Sequence, residues 1–144
     1  MKRHEGLIPL THDHHHALAQ ARHLRLAAVE TEDVRRSQST EFLGFYAAET
    51  LIHFREEEET VFPLIIGVTE AQEHLTRVML DHLRIHALVG VLRRESQGGH
   101  ATAGAMTDIA EALENHIRFE EKTLFPMIER LASDSELRTL SLVS

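Results

Sequence analysis

Residues 53–63 read HFREEEETVFP and residues 116–126 read HIRFEEKTLFP. Seven of the eleven aligned positions are identical: His, Arg, Glu, Glu, Thr, Phe and Pro. In each copy a histidine precedes a glutamate by four residues, the spacing that sets two side chains on one face of a helix. A chain that spells the phrase twice reads as two copies of one helical unit.

Working outward, four long helical segments are predicted. The first starts at Thr11 as N-cap and runs to about Glu30. The second covers roughly 37–66 and stops at Gly67. The third opens at Thr69, with Gln72 completing a capping box, and runs to about Glu95. The fourth spans about 101–131, and a short fifth is capped by Ser133 and Glu136. Pro63 and Pro126 should kink or tighten the last turns of the two phrase-bearing helices. Short connections make neighbours antiparallel, so the expected fold is all-α, an up-down-up-down four-helix bundle, as one domain over 1–144. Asp13-His14 against Asp81-His82 is a fainter second repeat, and gives the bundle a pseudo-twofold axis.

Composition supports this and narrows function. Leu, Ala, Glu and Arg dominate, which favours helix. A formal charge of −8 argues against a nucleic-acid or anionic-membrane partner. With no cysteine, thiolate metal sites and disulfides are excluded. No apolar run suggests a signal peptide or membrane span, so a cytoplasmic protein is expected. The twelve histidines are the anomaly.

Helical periodicity sorts them. The face of His116 carries Ile109, Leu113, Phe119, Glu120, Leu124 and Met127; that of His82 carries Leu75, Val78, Ile85, His86 and Val89. The face of His53 carries Phe42, Tyr46, Thr50, Glu57 and Val61, with Glu49 and Glu56 beside it. In the first helix the apolar stripe favours His14, then His15. The match of His16-Ala17-Leu18 to His86-Ala87-Leu88 points instead to a shifted register using His12 and His16. The rest of the 56–59 acidic run reads as solvated, and His4, His23, His74 and His100 read as surface residues.

The inward polar set is thus His14, His53, Glu57, His82, His86, His116 and Glu120. Each uncompensated buried polar group costs roughly 2–7 kcal/mol, and a charge more. A small domain stable by about 5–15 kcal/mol cannot absorb seven of them. One HxxxE is more often a solvated pair than a metal ligand, but two in matching context, with an HxxxH and a further core histidine, call for shared cations. Imidazole with carboxylate and without thiolate suits two five- or six-coordinate ions: iron, with manganese or zinc ranked below it.

The chain resembles the hemerythrin-like (HHE cation-binding) family from Leu10-Thr11-His12-Asp13-His14 to the end of the fourth helix. The two HxxxEExxxFP phrases are the most specific part of the likeness. The resemblance implies a four-helix bundle around a carboxylate-bridged di-iron centre. Its ligands would be His14, His53 and Glu57, His82 and His86, and His116 and Glu120. Oxygen-carrying hemerythrins end in a histidine followed five residues later by an aspartate, whereas Glu120 follows His116 by four. That places the chain nearer the broad bacterial HHE group, with roles in oxygen or nitric-oxide sensing, iron handling and stress response. The expected partner is a small ligand: dioxygen, nitric oxide or peroxide. The alternatives are a di-metal oxidoreductase working on peroxide or nitric oxide, and a helical interaction module without functional metal.

Overall fold

The computed structural model describes residues 2–141. Four helical rods form the bundle, and no strand occurs among the described residues. The first rod is α1, Ile8–Ala28, with Pro9 in its first turn. Pro9 lacks an N–H, but the first turn has no carbonyl to receive one. The helix therefore starts before Thr11, whose hydroxyl donates to Glu121 instead of capping (2.9 Å).

The second rod begins at α2, Glu32–Phe45, capped by Thr31, whose hydroxyl oxygen accepts from Val34 N–H at 3.4 Å. It is therefore longer at its start than the 37–66 expected. Glu32 and Asp33 stabilise its N-terminus through the helix dipole. The rod continues through a π-turn at Tyr46–Thr50, α3 at Leu51–Glu56, a second π-turn at Glu57–Val61 and a 3₁₀ turn at Phe62–Ile65. The third rod is α4, Gln72–Gln97, entered through a 3₁₀ turn at Thr69–Ala71. The Thr69–Gln72 capping box does not form; Gln72 donates to the carbonyls of Ile66 (2.7 Å) and Val68 (3.0 Å), bracing the preceding loop.

The fourth rod is α5, Ala103–Phe119, then a π-turn at Glu120–Leu124 and α6 at Phe125–Leu131. The short α7, Asp134–Ser141, has both halves of its capping box: Ser133 N–H to Glu136 at 2.9 Å and Glu136 N–H to Ser133 at 3.0 Å.

The repeat is visible in the backbone. Glu57 and Glu120 each open a π-turn, and each accepts through its carbonyl from a residue five on, Phe62 and Phe125. Pro63 and Pro126 follow at once, with no N–H for the carbonyl one turn back. The expected kink or tightening is accompanied by a widened turn ahead of each proline, and Phe62–Ile65 tightens into a 3₁₀ turn after the first.

Around the bundle, α1 packs on α2 and α5, and α4 packs on α5 and α2. The core divides into two apolar clusters. One includes Leu10, Val61, Val78 and Leu124; the other includes Ala21, Phe54, Ile85 and Leu113. Where the two sets meet, the rods contribute His14, His53 with Glu57, His82, and His116 with Glu120, while His86 lies beside Ile85 of the second set. A polar layer therefore crosses the middle of the bundle, sealed by hydrocarbon on both sides.

The N-terminal segment closes one end. A Cβ on Gly6 would lie 2.0 Å from the carbonyl oxygen of Leu137. Gly6→Ala must therefore push α7 away. It is expected to cost ~1–3 kcal/mol, the usual penalty of overpacking, read as a lower urea midpoint.

Candidate metal centre

The polar layer is built from one histidine on α1 and α4 and a His–Glu pair on each of the other rods. Burial is nearly complete: Glu57 and Glu120 are 0% exposed, His82 1%, His116 2%, His14 3% and His53 7%. His14 is thus the inward residue of the first helix. His12, His15 and His16 are exposed, so the shifted register is not adopted.

The two glutamates are the hubs. Glu120 Oε1 lies 3.0 Å from both His14 Nε2 and His116 Nε2. Glu57 lies 3.2 Å from His53 Nε2 through Oε2 and 3.2 Å from His82 Nε2 through Oε1. Donor atoms of His14, His53, Glu57 and Glu120 all fall within 4.8 Å of one another, as do those of Glu57, His82 and His116. Glu57 belongs to both groups, as a carboxylate shared by two ions would.

His86, expected in the same set, joins neither group. One turn beyond His82, its Nδ1 is hydrogen-bonded to the Tyr46 hydroxyl. The Phe54 ring stacks on His82 at 3.8 Å and meets His86 edge-on at 5.5 Å. Glu49, expected to lean inward, is exposed and lies 3.3 Å from His16. Of the four histidines read as surface residues, His4 and His74 are half-buried; His74 stacks on Phe119.

Four further carboxylates face the outer nitrogens. His14 Nδ1 lies 2.6 Å from Glu121, His82 Nδ1 2.7 Å from Glu58, and His53 Nδ1 2.9 Å from Asp13. The fourth, Asp81 to His116 Nδ1, is an ion-pair separation of 3.5 Å. An Nδ1–H donated outward leaves Nε2 as a lone-pair donor pointing inward. Sequence reading noted Asp13 and Asp81 only as parts of a repeat, read Glu58 as solvated and gave Glu121 no role, although each directly adjoins a residue that it selected. Phenylalanines complete the cage: Phe125 stacks on His14 at 5.4 Å, and Phe62 lies 6.1 Å from His82. So the Phe of each phrase serves the opposite hairpin.

The protein alone does not satisfy this interior. His53 Nε2, His82 Nε2, His116 Nε2, both Glu57 oxygens and Glu120 Oε2 are buried without a hydrogen-bond partner. Such orphans are rare because each costs about 1–3 kcal/mol. Here they converge on one volume and are all metal-ligand types. The residues present fit divalent cations.

Without metal the charges settle unevenly. Burial, then the charge of Glu120, pushes Glu57 well above the ordinary carboxyl range. Burial also opposes ionisation of Glu120, but the charge of His116 and the hydrogen bond with His14 outweigh it and hold Glu120 well below that range. The pair thus shares one proton, kept on Glu57. Burial resists charge on His116, yet Glu120 and Asp81 raise it to about 10. Burial and the charge of His116 depress His82 to about 3.

A pH profile follows. His116 binds its proton more tightly folded than unfolded, so its contribution is complete below pH 6.5 and is lost as pH rises through about 10. His82 binds its proton less tightly folded, so stability is lost as pH falls from 6.5 towards about 3. Urea midpoints of metal-free protein should peak near pH 6.5. Metal should abolish the alkaline arm, because a ligating His116 has already given up its proton.

A family model, Hemerythrin HHE cation binding domain, matches residues 7–128. No curated protein and no solved structure matched the chain.

Proposed function

The chain belongs to the hemerythrin HHE cation-binding family, and on that footing we propose that it is a non-haem di-iron protein that binds dioxygen or a related small ligand. His14, His53, Glu57, His82, His116 and Glu120 would hold the metal, with Glu57 the residue common to both ligand groups. The observation that carries this is the set of unpartnered buried nitrogens and oxygens converging from all four rods. The absence of thiolate, with imidazole and carboxylate together, favours iron over zinc or manganese.

Iron held there would supply redox chemistry towards a small ligand. The chain supplies access and exclusion. A cavity of about 20 Å³ opens against the imidazoles of His14, His53 and His116, walled by Ala17, Leu113 and Ile117. That is room for about one water-sized molecule, a size that suits a small ligand. The larger depression between α4 and α5, about 970 Å³, reaches the centre only at Asp81 and His116. Its rim carries charges of both signs, so it has no evident selectivity for an anion or a cation. No described helix is long and apolar enough to cross a membrane; a cytoplasmic setting remains part of the proposal.

Elemental analysis with anomalous scattering at the iron edge, on protein purified without added metal, tests the reading. Two irons per chain, with an absorption spectrum that dioxygen or nitric oxide alters, are expected. Zinc alone, or no metal, overturns it. Steady turnover of peroxide by the same sample would favour the oxidoreductase alternative.

A further inference from the structure

We infer that Asp13, Glu58, Asp81 and Glu121 are positioning residues that form a closed ring around the centre and bias the metal pair towards its oxidised state. The inference rests on the di-metal reading above. Asp13 on α1 serves His53 on α3, and Asp81 on α4 serves His116 on α5; both links lie within a hairpin. Glu58 serves His82, and Glu121 serves His14; both cross between hairpins. Followed round, the links alternate within, across, within, across, and return to the start. The Asp-His dipeptides and the glutamate that follows the inner one in each phrase therefore belong to one device, which explains why both recur in the sequence.

The ring settles two properties. First, it fixes each imidazole with Nδ1–H outward, so that all four Nε2 atoms face in before any ion arrives. Second, it sets charge. The two inner glutamates alone would leave a pair of trivalent ions strongly positive in a sealed interior. Inner and outer carboxylates together carry as much negative charge as two trivalent ions carry positive. The outer four sit at the rim, from 15% exposed at Asp81 to 43% at Asp13, where water reaches them. Arginines offset two of them: Arg3 lies 3.3 Å from Glu121 and Arg84 lies 3.4 Å from Asp81. Negative charge at this range favours the higher oxidation state, so the centre should have a lower reduction potential than its inner ligands alone would give.

The test uses full-length protein in two metal forms, with alanine and amide variants at each of the four positions. In the diamagnetic zinc form, proton NMR should show four downfield Nδ1–H signals. Each alanine variant should remove the one belonging to its partner: Asp13→Ala that of His53, Glu58→Ala that of His82, Asp81→Ala that of His116, Glu121→Ala that of His14. Zinc affinity should fall by roughly 10–100-fold. Asp13→Asn, Glu58→Gln, Asp81→Asn and Glu121→Gln keep an acceptor and should recover most of that affinity. In the iron form both variant types should raise the reduction potential, because both remove the charge; a purely structural role would not move it in the amide variants. Unchanged signals, affinity and potential across folded variants overturn the ring while leaving the di-metal reading intact. Wild-type protein that takes up no metal overturns both.

Discussion

Glu57→Leu is expected to stabilise the metal-free protein while destroying its capacity for two ions. The two effects have one origin. Glu57 is fully buried, both its oxygens lack partners, and it is the carboxyl that keeps its proton. In the metal-free protein it contributes little but a desolvation penalty, and a leucine of similar volume removes about 1–3 kcal/mol of it. The same side chain is the member common to both ligand groups, so its loss should lower occupancy from two ions to at most one. Glu120→Leu should cost the metal equally but act oppositely on the metal-free fold. Glu120 is the ionised partner held between His14 and His116 at 3.0 Å, and removing it leaves the His116 charge buried and unpaired. Such losses typically run to about 3–5 kcal/mol, reduced here to the extent that His116 gives up its proton. Urea denaturation of both metal-free variants, with elemental analysis of the reconstituted forms, reads all four outcomes. If both variants move metal-free stability in the same direction, the uneven sharing of the proton is wrong.

That asymmetry is invisible in the sequence, where the two phrases are nearly interchangeable. What the sequence carries well is facing. The buried residues at 14, 53, 57, 82, 116 and 120 all follow from helical periodicity, because an apolar stripe with a polar interruption records which side of a helix meets the core. Adjacency across a helix seam is not recorded that way. Asp13, Glu58, Asp81 and Glu121 are each one residue from a buried one, hence about 100° round the helix. At that angle a carboxylate counts as solvated, and only the neighbouring helix decides whether it meets an imidazole. His86 fails in reverse: its stripe points inward, yet it stands beyond Phe54 with Tyr46 as partner.

Helix starts were misplaced for a related reason. Thr11 has the chemistry of a cap, and nothing local reveals that Glu121 claims its hydroxyl. The π-turns at Glu57 and Glu120 also lack a local signature beyond the prolines that follow them. They nevertheless occur where the two hubs must be presented, in keeping with the tendency of π-turns to mark functional positions.

Removing metal from the wild-type protein should produce the largest change in stability of all, and in a revealing form. An ion bound only by the folded state contributes RT ln(1 + [L]/Kd), or about 4 kcal/mol when free metal exceeds Kd a thousandfold. On the proposed di-metal reading, two ions with Glu57 in common should be lost together, since the departure of the first would leave that carboxylate's buried oxygens short of a partner. Chelation should therefore lower the thermal midpoint in one step, with no plateau at a single ion per chain. The apolar clusters on either side of the polar layer should keep the helices formed, so the far-ultraviolet circular dichroism of the chelated protein should remain helical at low temperature. Titrating metal back against the thermal midpoint distinguishes the cases. A midpoint indifferent to metal would mean that the convergent imidazoles and carboxylates have some other partner, whereas two well-separated steps would mean that the ions do not share Glu57.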